Sequence, residues 1–173
     1  MLKKQFLLYL TIGLLYSASG SVQSRQERSA SKPSQPAAIE VPTELLQQLM
    51  RDDAEARNFV NQGLVTDEPG GKFMADLADL NEDGKSEYIV SPPNLMMGNS
   101  SGPKWVYRRT PKGYQLLLSI GAMGLSPLKT LTHGYHDLEA IGGGNAMGYF
   151  KGIYKFNGSK YVYASKRNSK NPR

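Results

Sequence analysis

Apolar residues recur at two different periods along this chain, and the change from one to the other falls near Gly71. Leu45, Leu46, Leu49 and Met50, followed by Ala54, Ala56, Phe59 and Val60, keep the three-to-four spacing of one helix face. Thr43, behind Val41-Pro42, can cap the start of this helix, Glu44 suits its electropositive first turn, and Asn61-Gln62-Gly63 supplies the stop. Two acids in mid-pattern, Asp52-Asp53, can cap a second helix, so a break is expected there.

Beyond Gly71 the period shortens to that of strands. Segments 73–77 and 87–91 flank a polar loop, and Pro92-Pro93 ends the second of them. Along Lys104–Arg109, Trp105 and Tyr107 fall on one face and Lys104, Val106 and Arg108 on the other. Pro111-Lys112-Gly113 turns the chain into segment 114–120, and strands are also expected over 125–130 and 135–141. A last hairpin joins 149–156 to 160–163 through Asn157-Gly158, the strongest short hairpin signal in the chain. Short turns make consecutive strands neighbours, so the predicted fold is α+β, an N-terminal helix packed on an antiparallel β meander sheet.

The ends of the chain change that picture. Lys3 and Lys4 precede an apolar run, Phe6 to Tyr16, that falls short of the roughly 20 residues a bilayer span needs; small residues follow at Ser17, Ala18, Ser19, Gly20 and Ser21. This is the pattern of a signal peptide over residues 1–20, cleaved near Gly20/Ser21, and it predicts a periplasmic or secreted protein with no stable membrane span after cleavage. Residues 21–40 are rich in Ser, Gln, Pro and Arg with only Val22 and Ile39 as bulky aliphatics, so a disordered spacer is expected before a single domain over 41–164. Residues 165–173 read as a basic flexible tail. The formal charge of +6 invites a nucleic-acid reading, but twelve Lys or Arg face thirteen Asp or Glu between Val41 and Tyr163. The expected partners therefore exclude nucleic acid. The absence of cysteine removes disulfides, thiolate catalysis and zinc-thiolate sites.

The most specific chemistry lies in Asp79-Leu80-Asn81-Glu82-Asp83-Gly84-Lys85-Ser86-Glu87. Oxygen side chains occupy positions one, three, five and nine, and a glycine at six allows a sharp turn. Calcium takes about six to eight hard oxygen ligands, which such alternation can direct inward. Asp79, Asn81, Asp83, the Lys85 carbonyl and Glu87 are the expected ligands of one structural Ca2+. Without a cation, the three carboxylates repel one another. An EF-hand needs its bidentate Glu at position twelve, which is Val90 here. The competing reading is an Asx-rich turn held by its own side-chain bonds.

The loop resembles the Asp-x-Asn/Asp-x-Asp-Gly-x-x-Asp/Glu loops of FG-GAP and VCBS-type repeats and of dockerin-like modules; in FG-GAP-type modules the loop lies between two strands. More broadly, the pieces Asp79 to Glu87, Trp105 to Arg109, Gly134 to Asp137 and Tyr154 to Gly158 make the chain similar to small exported bacterial (periplasmic) proteins. That resemblance implies an exported α+β domain with a calcium-type loop and implies no catalytic activity.

Two further features are candidate contacts. Leu95, Met96 and Met97 sit in a Gly, Ser and Asn-rich loop and suggest an exposed apolar tip. His136 and Asp137, close to His133, suggest a polar contact; in a strand the two histidines would face opposite ways, and no third metal ligand is identifiable. The function expected from these residues is a non-enzymatic exported binding or accessory protein of the cell envelope, with a protein or glycan partner. The alternatives are an inhibitor or immunity protein of an envelope hydrolase, acting through the Met96 or Gly142 loop, and a hydrolase built on His136 and Asp137.

Overall fold

The computed structural model describes residues 38–94, 101–143 and 150–168. The expected signal peptide, all of the expected spacer before residue 38, the Leu95-Met96-Met97 tip, segment 144–149 and the last five residues lie outside the described residues.

Two helices occupy the helical-period segment: α1 (Thr43–Asp52) and α2 (Ala54–Asn61). The break falls at Asp53, as the paired acids predict. Its Oδ1 accepts the N–H groups of Glu55 (2.9 Å) and Ala56 (3.1 Å), two donors that the first turn of α2 would otherwise leave unpaired. Thr43, by contrast, does not cap α1. Pro42 holds that position, and its carbonyl accepts Leu46 N–H at 2.9 Å, so the ladder starts one residue earlier than the threonine suggested. Gly63, at φ +68°, closes α2: Leu64 N–H bonds Phe59 O and Gly63 N–H bonds Val60 O, both at 3.0 Å. Among the described residues no helix is long and apolar enough to cross a membrane.

The described strands make two antiparallel sheets rather than the single meander expected. The first contains β1 (Ile39–Glu40), β2 (Met74–Ala78), β3 (Glu87–Ser91), β4 (Gly102–Thr110) and β5 (Gly113–Ala122), in that order across the sheet. The second contains β6 (Gly124–Thr132), β7 (Tyr135–Ile141), β8 (Phe150–Phe156) and β9 (Tyr161–Asn168), also in chain order. Each is a meander, and the chain passes between them at Met123, whose N–H already bonds Ile141 O in the second sheet (2.8 Å).

Two boundaries differ from composition. Ile39 and Glu40, assigned to the spacer, pair with Ala75 and Met74. Ser165 to Asn168, assigned to the flexible tail, continue β9 beside β8. Both are edge segments, where one neighbour satisfies the backbone ladder and a charged outer edge resists further pairing, so polar composition hides the strand.

Buried side chains fall into two clusters. In the first, Leu45, Leu49 and Ala56 of the helices meet Phe73, Ala75, Val90, Trp105 and Tyr107. In the second, Ile89, Val106, Leu117 and Leu118 of the first sheet meet Tyr135, Leu138, Phe156 and Tyr161 of the second. The alternation along β4 thus places Trp105 and Tyr107 in one core and Val106 in the other. A bulge explains why neighbouring Leu117 and Leu118 share a core: Val106 pairs with Leu118 and Tyr107 with Leu116, leaving Leu117 as the extra residue.

Candidate metal loop and the adjoining cleft

β2 ends at Ala78 and β3 begins at Glu87, which pair with each other, so the polar loop is a hairpin connection. Within it the side chains at positions one, three, five and nine turn toward the loop's own backbone. Asp79 accepts Asp83 N–H (3.2 Å) and Gly84 N–H (2.8 Å); Asn81 Oδ1 accepts Asp83 N–H (3.2 Å); Asp83 Oδ1 accepts Lys85 N–H (2.8 Å). Glu87 Oε2 accepts Leu80 N–H at 2.8 Å. Gly84 sits at φ +81°, a conformation that favours glycine, and lets the chain reverse there.

Glu87 is the buried member of the set, 4% exposed. Burial pushes its carboxyl above the ordinary glutamate range; the Leu80 N–H bond works in the opposite direction, and the charges of Asp83 and Asp79 push it further up. The charges of Asp83 and Asp79 thus act on Glu87 in the same direction as its burial. Among the described residues no three acidic, His or Cys side chains converge as a ready metal cluster. The carboxylates that would serve are engaged with backbone N–H groups, the pattern of an Asx-rich turn.

The sign of the Glu87 shift gives a test. In the ion-free protein the folded state holds its proton more tightly than the unfolded chain. Stability is then greatest below the ordinary glutamate pKa and falls as pH rises through the raised folded value. Urea unfolding from about pH 4 to about pH 7 in metal-stripped buffer should show that fall in the wild type and lose part of it in Glu87→Gln. Parallel curves for the two proteins would contradict this assignment.

His136 reaches the same loop from β7. Its backbone N–H bonds Leu80 O (2.7 Å), its Nδ1 donates to Leu128 O (2.7 Å), and its Nε2 lies 3.3 Å from Glu82. Asp137 is 3% exposed and faces elsewhere: Oδ2 accepts the Thr130 hydroxyl at 2.8 Å, with Lys155 Nζ at 3.9 Å, while buried Oδ1 has no hydrogen-bond partner among the described residues. His133 occupies the β6–β7 turn at φ +50° and bonds Phe156 O through Nδ1 (2.9 Å). The structure thus gives these three side chains separate partners and brings His136 to the calcium-type loop.

Beside the loop lies a cleft of about 580 Å3 whose wall includes Asn81, Asp83, Lys85, Glu87, Arg108 and Tyr135. Asn81 Nδ2 and Arg108 Nη1 each donate to the Tyr135 hydroxyl at 3.2 Å, and Arg108 Nε donates to Gln115 Oε1 at 2.9 Å. No protein-family model, curated protein or solved structure matches this chain.

Sequence reasoning did not find Arg108 or Tyr135 as cleft residues, because their meeting depends on how the two sheets stack. Nor did it find Lys104, whose Nζ donates to Ser91 Oγ across strands at 2.6 Å and whose ammonium pKa is lowered by burial, with Asp76 opposing. In the strand pattern Lys104 already shared a face with Arg108; the register with β3 was the absent information. Of the aromatic residues, Phe73, Trp105, Tyr107, Tyr135, Phe156 and Tyr161 are buried, and Tyr163 is 57% exposed.

Proposed function

We propose that this protein is a non-enzymatic exported binding or accessory protein of the cell envelope, stabilised by one Ca2+ in the 79–87 loop. In this reading α1 and α2 form a layer packed on the β1–β5 meander, and a protein or glycan partner is held near the loop and its cleft. The observation that carries it is that Asp79, Asn81, Asp83 and Glu87 all turn side-chain oxygens onto the loop's own backbone around a glycine turn between two strands. The donor set fits calcium: three carboxylates, an amide oxygen and the Lys85 carbonyl are all hard oxygen ligands. A divalent cation would replace the mutual repulsion felt at Glu87 with attraction. The leading apolar segment of the sequence supports export, and the near-neutral charge from Val41 to Tyr163 supports a partner other than nucleic acid.

Terbium, which takes the same oxygen ligands as calcium, tests the site. Excited through the protein's tyrosines, of which Tyr135 touches Asn81, bound Tb3+ should emit. Calcium should quench that emission by displacement, and Asp79→Ala should abolish it. Emission equal in wild type and Asp79→Ala would remove the loop as the site.

A further inference from the structure

Tyr135 is 7% exposed, and its hydroxyl oxygen receives two donors, Asn81 Nδ2 and Arg108 Nη1. With the oxygen so occupied, the hydroxyl's own proton is directed away from both and has no acceptor among the described residues. Arg108 is half-buried, and its two hydrogen-bond partners, Gln115 and Tyr135, are both neutral. Among the described residues, no carboxylate lies within ion-pair distance of Arg108, nor of Lys85 and Arg109 on the same cleft wall. A half-buried cation without a counter-charge is costly, and a guanidinium fixed on one side by neutral partners still offers N–H groups on the other. The carboxylates on the wall do not supply the missing acceptor: Asp83 accepts Lys85 N–H and Asn81 Nδ2, and Glu87 accepts Leu80 N–H.

We propose that this cleft binds a small ligand through an oxyanion, carboxylate or phosphate, seated between the Arg108 guanidinium and the Tyr135 hydroxyl. The anion accepts the leftover Tyr135 proton and the free face of the Arg108 fork, with Lys85 adding charge at the rim. This deepens the binding reading and rests on it for location. Calcium in the neighbouring loop offsets Asp83 and Glu87, so it should tighten the anion, but the subsite is made by Arg108 and Tyr135.

The test is calorimetric titration of the protein with inorganic phosphate, with trigalacturonate as the carboxylate probe and with maltotriose as a neutral control. Calcium is removed by chelating resin, because a soluble polycarboxylate chelator would itself compete. One or both anions should bind with a Kd on the order of 1 mM or tighter, maltotriose should not, and Arg108→Gln and Tyr135→Phe should each weaken binding about tenfold or more. Which anion binds names the source of the oxyanion. In the wild type the Arg108 Nε–H resonance should move on titration, a readout that needs no variant. Anion binding no tighter than that of maltotriose, or unchanged in both variants with a stationary Arg108 resonance, overturns the proposal. If calcium raises the melting temperature but neither anion binds, the subsite falls alone. If an anion binds through Arg108 and calcium has no effect, the calcium reading falls alone.

Discussion

Asp53→Ala should destabilise the protein by about 3 kcal/mol, combining the loss of a helix cap with a buried donor left unpaired. Asp53 hydrogen-bonds residues of α2, β4 and β5. One carboxylate oxygen caps α2, and the other accepts Trp105 Nε1 at 2.8 Å and Ser119 Oγ at 3.1 Å. Trp105 is fully buried, so its indole ring is held in place and its N–H loses its acceptor when the carboxylate is removed. For a domain of this size the loss corresponds to a melting decrease on the order of 10 °C.

Burial by itself would raise the Asp53 pKa, but the bonds from Trp105, Ala56, Ser119 and Glu55 hold it below the ordinary aspartate value. Its contribution is therefore present above the unfolded pKa and is lost as pH falls through the folded one. Asp53→Asn separates the roles. Its amide oxygen can keep the cap, while its NH2 would confront the Trp105 donor, so an intermediate loss is expected. Asp52→Ala, which removes only the Tyr107 hydroxyl's partner at 2.9 Å and the local Gln48 bond, should cost about 1 kcal/mol. Thermal and urea unfolding of the three variants provide the check. An Asp53→Ala protein within about 0.5 kcal/mol of wild type would show that this clasp contributes nothing.

The local features of the fold were legible in the sequence because each is decided by a few adjacent residues. Asp52-Asp53 announced the helix break, Asp79 to Glu87 announced a tight loop between strands, and Asn157 announced the last hairpin. There Asn157 N–H bonds Lys160 O and its side chain accepts Ser159 and Lys160 N–H groups, closing a four-residue loop. What could not be read depends on long-range pairing. Nothing in the run from Tyr114 to Thr132 marks Met123 as the point where one sheet ends and another begins. The bulge opposite Val106 and Tyr107, which puts Leu117 and Leu118 in one core, breaks the simple period of two. The candidate site was half legible for the same reason. Its loop is contiguous, but His136 against Glu82 and Arg108 against Tyr135 meet only because the sheets stack, and no spacing along the chain encodes that approach.

Calcium binding should have a comparably large effect on stability. An ion held only by the folded state stabilises it by about 2.7 kcal/mol when present at roughly a hundredfold its Kd, which moves the melting temperature by several degrees. The gain should require the loop's carboxylates together, since removing one leaves the remaining acids with less to offer the ion and less repulsion to relieve. Asp83 is the most informative position: it is exposed, its side chain bonds Asn81 and Lys85, both within the loop, and its removal leaves both cores untouched. The decisive measurement is the melting temperature of the protein, wild type and Asp83→Ala, in metal-stripped buffer and in calcium. A calcium-dependent rise of several degrees in the wild type, absent in Asp83→Ala, is the expected result; equal melting of the wild type with and without calcium would contradict it.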